Sequence, residues 1–275
     1  MVFGSVVACV SSALLVFLLG RRRPTRTAPR GVYARTTGGI RTSLAAPGLR
    51  GLVGLSLAVA GAGARVLVNT VVLVRGQLGL NDTALAWTMF AFGAGSMIAA
   101  LALPKLLDRF PDRPVMLTGA WLMVAALLVI AVLVISIGLS WSLLLAVWLL
   151  IGLGNSAVLT PSGRLLRRSA HPEDRPAIFA AQFALSHACW LLTYPLAGWL
   201  MTAYGTVPAL FVLAGVATLG IGVALRFWPA DMPDNLTHQH PDLPLHHPHL
   251  QGQGSQAHRH EIIIDDLHRH WPELR

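Results

Sequence analysis

The chain has 275 residues, 54% of them hydrophobic and only 12% charged, with a formal net charge of +9 and a mean hydropathy of +0.60. That combination excludes a water-soluble globular domain of this length and points to a lipid bilayer. The two cysteines, Cys9 and Cys189, each lie inside an apolar run. They do not read as a disulfide framework, offer no CxxC metal or redox spacing, and read as small apolar packing residues.

A helix crosses a hydrocarbon core of roughly 30 Å with about 20 mostly apolar residues. Seven runs qualify: 2–20, 51–74, 84–107, 115–138, 140–162, 177–201 and 207–228. Each must be helical, because lipid satisfies no backbone N–H or C=O group. The alternating pattern of a membrane β-barrel is absent. The expected class is an all-α membrane protein of about seven transmembrane helices.

Residues 1–20 read as the first transmembrane helix. A signal peptide fits poorly: no basic residue precedes the run, Arg21, Arg22 and Arg23 follow it, and no AxA-like site is present. The run starts at residue 2 without a polar lead-in, which suggests a preceding portion of chain. Residues 21–50 read as a linker rich in Arg, Thr, Pro and Gly, and residues 51–228 as six helices joined by short turns. Residues 229–275 form a polar tail rich in His and Pro, expected to be mostly disordered.

Charge sets the orientation. Eight arginines, from Arg21 to Arg50, crowd the first connection; Lys105, Arg109 and Arg113 follow the third run; Arg164, Arg167, Arg168 and Arg175 follow the fifth. The alternate connections hold only Arg75. Basic loops stay cytoplasmic, so the N-terminus is expected outside and the tail inside. The positive charge is thereby accounted for by topology, and no nucleic-acid partner is expected.

Polar groups within the runs are expensive and are functional candidates by default. In the second run, Gly61, Arg65 and Asn69 share a face at i, i+4 spacing. A small residue beside the charge would leave room for an anionic substrate group. The bland alternative is an arginine bonded to carbonyls or snorkelling outward.

The third connection reads Pro104-Lys-Leu-Leu-Asp108-Arg109-Phe-Pro-Asp112-Arg113-Pro114. It resembles the cytoplasmic-loop signature of the major facilitator superfamily, Gly-x-x-x-Asp-Arg-x-Gly-Arg-Arg, which lies between the second and third helix of each six-helix half. Asp108, Arg109 and Arg113 match; Pro104 and Pro111 replace glycines and Asp112 an arginine. The resemblance covers residues 1–228, as the sixth helix, the central loop and helices seven to twelve, with the first five helices absent. It implies a secondary transporter working by alternating access, expected to be an exporter of a small solute, with Asp108, Arg109 and Arg113 as a gating loop. A positive-inside anchor with a turn is the simpler reading of the same residues.

In the fifth run, Gly152-Leu-Gly154-Asn155-Ser156 precedes Thr160-Pro161. The glycines favour close helix packing, Pro161 can bend the helix, and Asn155 is a candidate cavity residue. In the sixth run, Gln182, Ser186 and Trp190 share a stripe, and His187, Trp190 and Tyr194 fall at i, i+3 and i+7. That face suits a water-lined cavity with an aromatic wall, or an interhelical hydrogen-bond network. The substrate-binding candidates are thus Arg65, Asn69, Asn155, Gln182, His187, Trp190 and Tyr194. No Asp or Glu lies inside a run, so a proton carrier would be His187 or a residue in an absent first half.

Nine of the eleven histidines fall in the tail: His238, His240, His246, His247, His249, His258, His260, His268 and His270. Imidazole pairs of this kind bind Zn²⁺, Ni²⁺, Co²⁺ or Cu²⁺. Some metal exporters of the superfamily end in similar tails, which makes a metal exporter, or a metal-regulated one, the alternative function. A truncated remnant or a metal-binding accessory is the third. No enzyme motif is present: P-loop, nucleophile elbow, HExxH and paired membrane carboxylates are all missing. No cofactor is required, with a divalent metal on the tail as an optional ligand. The expected partners are the bilayer, a small-molecule solute, and an N-terminal half-transporter or a second copy. The expected location is an inner (plasma) membrane of bacterial type.

Overall fold

The computed structural model describes residues 32–230, the segments 236–239 and 257–260, and Ser11, Leu14 and Trp271. The expected first helix, residues 2–20, therefore lies almost wholly outside the described residues. The chain divides into two compact units, Met1–Gly31 and Val32–Arg275, and every element named below belongs to the second.

Six long helices form the bundle, and each is long and apolar enough to cross a membrane. They are α2 (Pro47–Val71), α3 (Asp82–Leu107), α4 (Asp112–Ile137), α5 (Trp141–Arg168), α6 (Arg175–Tyr204) and α7 (Thr206–Phe227). A shorter helix, α1 (Val32–Ala45), precedes them. It corrects the linker expected over 21–50: half of that stretch is a helix packed on α6 and α2.

Local chemistry places the ends. Pro47 opens α2, where a missing N–H costs nothing. Asn81 caps α3 by accepting from the Ala84 amide at 3.0 Å, and Ser140 caps α5 through the Leu143 amide. Gly138 and Gly205 end α4 and α6 at φ +82° and +83°, a conformation that side chains resist. The second span does not stop at residue 74. It continues through a π-turn, Val72–Gln77, closed by Leu78 donating to the Leu73 carbonyl at 3.0 Å.

Packing repeats. In the first triplet, α2 lies against α6 and α7; in the second, α5 lies against α3 and α4; α4 and α7 meet each other. Exchanging α2, α3 and α4 for α5, α6 and α7 reproduces the same set of neighbours. Since α2 and α5 start from opposite ends, the triplets are related as an inverted repeat. Glycines make the tightest crossings. A Cβ built on Gly54 would come 2.7 Å from the Gly220 carbonyl oxygen, and one on Gly119 would come 2.8 Å from that of Gly154.

The most enclosed helix is α2, with Leu49, Leu52, Leu55, Ala58 and Val66 fully buried. By contrast α3 and α6 turn Phe90, Leu101, Phe183, Leu191 and Leu192 outward, as lipid permits. The described part of the tail is a two-stranded antiparallel ladder, β1 (Leu236–Gln239) with β2 (Ala257–His260). The expectation of a mostly disordered tail omitted this pairing.

Candidate functional site

Arg65 lies within one turn of the middle of its span and is only 1% exposed. Its Nη1 donates to Met201 Sδ on α6 at 3.2 Å, a weak acceptor. Nε and Nη2 are buried without a partner. No carboxylate approaches it among the described ion pairs. A buried cation with two unsatisfied donors costs stability.

The neighbourhood is a seam in which α2 and α6 run side by side in the same direction. Gln182 Nε2 donates to Ser56 Oγ at 3.0 Å, while that hydroxyl bonds back to the Leu52 carbonyl at 2.9 Å. Further along, the Trp190 indole covers Gly63. Beyond Arg65, Asn69 Nδ2 donates to the Ala197 carbonyl at 3.4 Å. Two acceptors on this seam, Asn69 Oδ1 and Gln182 Oε1, also lack partners. The seam thus carries two spare donors and two spare acceptors, enclosed by the bundle.

The expected candidates divide accordingly. Arg65, Asn69 and Trp190 fall within two turns of the seam, whereas Gln182 meets it at Ser56, about 13 Å of helix from Arg65. Gly61 does not leave room beside Arg65, because a Cβ there would already meet the α7 backbone at Ala217 and Leu213, both at 3.2 Å. His187 points away from the seam. It is exposed, stacks on Phe183 with ring centroids 3.9 Å apart, and bonds through Nδ1 to the Phe183 carbonyl at 2.8 Å. Tyr194 is 37% exposed and leans on Trp190, with centroids 4.9 Å apart. Asn155 is half-buried midway along α5, off the seam. Thr70 was not foreseen: it bonds back to the Val66 carbonyl and accepts from Trp148 Nε1 of α5 at 2.9 Å, tying α2 to the second triplet. Nothing in helical spacing singles out Met201, whose sulfur matters only because α6 is rotated toward Arg65.

The loop between α3 and α4 also differs from expectation. Asp108 ends α3 exposed, and Arg109 is exposed beside it. The buried acid is Asp112, 6% exposed, paired with Arg164 through Nη2 and, at 2.8 Å, through Nε. Arg168 approaches its other oxygen at 3.9 Å. Arg113 Nε donates to the Trp228 carbonyl at 2.8 Å. The loop is therefore latched to α5 and α7, through Asp112 and Arg113 rather than through Asp108. The i, i+4 spacing of Arg164 and Arg168 was a readable sign of a shared acid.

Among the described residues, no group of three or more His, Cys, Asp or Glu side chains is gathered to hold a metal ion. The ladder register sets His238 opposite His258 and Leu236 opposite His260. His240, His246, His247, His249, His268 and His270 lie outside the described residues.

The sequence model of the Major Facilitator Superfamily matches residues 53–258. The match begins inside α2, takes in the rest of the bundle and ends in β2. None of the curated proteins compared with the chain matches it.

Proposed function

The chain belongs to the Major Facilitator Superfamily, and on that premise we propose that it is one six-helix half of a secondary transporter that seats an anionic solute on the α2–α6 seam. Members of the family are transporters rather than enzymes, embedded in lipid and handling small solutes. The observation that carries the seat is Arg65, a buried arginine with two unsatisfied N–H donors. Asn69 Oδ1, one turn from Arg65, would accept from the same solute.

In this reading Arg65 supplies charge and a fork of donors suited to a carboxylate or phosphate. The Trp190 ring over Gly63 forms the apolar wall. The solute reaches Arg65 only when α6 moves off α2. Binding then satisfies groups that are otherwise orphaned, so solute free energy is coupled to helix movement. Alternating access takes two six-helix halves rocking about a central site. The second half is another stretch of polypeptide or a second copy of this chain. The direction is outward, and the basic end of the bundle, with the tail, faces the cytoplasm of a bacterial-type inner membrane.

The test is exchange in proteoliposomes holding the complete transporter, with radiolabelled small organic anions and their neutral amides. Exchange of an anion, absent for its amide and lost in Arg65→Met, is the expected result. Equal exchange by the Met variant would contradict the seat.

A second reading rests on the tail. The ladder pairs His238 with His258, one histidine from each of two His-x-His segments. This supports capture of a divalent cation such as Ni²⁺, Zn²⁺ or Co²⁺, either as cargo for export or as a regulator.

A further inference from the structure

Where α5 ends and α6 begins, the surface sinks into a cleft of about 430 Å³ lined by Arg164, Arg167, Arg168, His171 and Arg175. No carboxylate lines it among the described residues, although Glu173 and Asp174 stand in the same turn. Asp112 lies behind it and engages only Arg164 and Arg168. Arg167 Nε spends its bond on the Gly163 carbonyl of its own helix at 3.2 Å.

Arg175 is the informative member. It opens α6, where a cation opposes the helix dipole. Its Nε is buried without a partner. The helix amides cannot be the reason for an anion here. Pro176 has no N–H, and the Arg175, Ala177 and Ile178 amides already bond back to His171 and Asp174. The arginine side chains themselves make the site.

We propose that this cleft binds a phosphate group, the headgroup phosphate of an anionic lipid, and that its occupancy competes with Asp112 for Arg164 and Arg168. Basic pockets between membrane helices on the side rich in Arg and Lys take acidic lipid headgroups. The cleft opens at the end of the bundle carrying Lys105, Arg113, Arg164 and Arg226, where headgroups lie. A phosphate that draws Arg164 and Arg168 toward itself loosens their hold on Asp112. The α3–α4 loop is then released from α5. The lipid thus acts on the latch, and the site exists whether or not Arg65 seats a solute.

The experiment titrates the purified chain in detergent with fluorescent phosphatidylglycerol, with phosphatidylcholine of the same tails, and with inorganic phosphate as competitor. Phosphatidylglycerol is expected to bind more tightly than phosphatidylcholine. Arg167→Gln with Arg175→Gln should weaken it by roughly fivefold for each arginine removed, and Arg167→Lys with Arg175→Lys should recover most of the loss. Asp112→Asn, by removing the acid that competes for Arg164 and Arg168, should tighten it. Displacement by millimolar inorganic phosphate would support the phosphate site but assign it to a soluble ligand, overturning the lipid source. Phosphatidylglycerol binding unaltered in both the double Gln variant and Asp112→Asn would overturn the site itself.

Discussion

Arg65 shows what a single residue can reveal before any fold is known. A charge in an apolar run stands out in the sequence, because the run must be surrounded by lipid or protein. Its surroundings were not legible. Whether Gly61 gives it space depends on helix rotation, and the structure turns Gly61 onto α7 instead. The same limit applies to the acid of the α3–α4 loop, where two aspartates four residues apart compete. Burial decides for Asp112, and burial is set by how α4 meets α5. If Arg65 serves a solute rather than the fold, removing its charge relieves an uncompensated cost. Arg65→Met should then leave the bundle as stable as before, or stabilise it by about 1–3 kcal/mol. Thermal unfolding in detergent measures this, and a loss beyond about 2 kcal/mol would assign the arginine to structure.

The six helices of the bundle were read nearly correctly, because length and hydropathy alone specify a membrane span. What escaped was α1. Gly38, Gly39, Thr36, Thr37 and Thr42 are poor helix formers, so local preference argued for a linker. Docking overrides it: Gly39 sits so close to the Ala177 carbonyl of α6 that no side chain fits. The glycines of the bundle divide in the same way. A Cβ on Gly152 would collide with the Phe92 carbonyl of α3, whereas Gly93 and Gly222 face open space. Gly152→Ala should cost about 1–3 kcal/mol. Gly93→Ala and Gly222→Ala should gain up to about 1 kcal/mol from helix preference. Paired melting curves in one detergent decide it, and equal effects at all three positions would remove the argument that backbone contact sets the crossings.

For the whole molecule, the triplet pairing explains how one small seat can govern large movement. Each triplet is a layer around one central helix; the seam lies within the first, between α2 and α6, and the two layers meet where α4 packs on α7. The loop signature led to this architecture from the sequence. The inverted pairing did not show there, because neighbours depend on which glycines meet. The ladder of the tail follows the bundle in the chain, and Trp271 beyond it packs against the bundle's core. Deleting residues 236–275 should abolish Ni²⁺ or Zn²⁺ binding by the purified protein in calorimetry, while circular dichroism stays helical and anion exchange persists. Loss of anion exchange with the tail would make the tail part of the path.

The account rests on α6 leaving α2 to expose Arg65, and a reversible lock tests that directly. A Cβ built on Gly198 lies 3.8 Å from Val68 Cγ1, so the two positions face each other between α6 and α2. Val68→Cys with Gly198→Cys, in a chain whose native cysteines are serine, joins the two helices beside the seam without touching Arg65, Asn69 or Gln182. The measurement is anion exchange in proteoliposomes before oxidation, after it, and after reduction. The account predicts exchange that stops on oxidation and returns with reductant. Exchange by the fully oxidised chain at the reduced rate would contradict it.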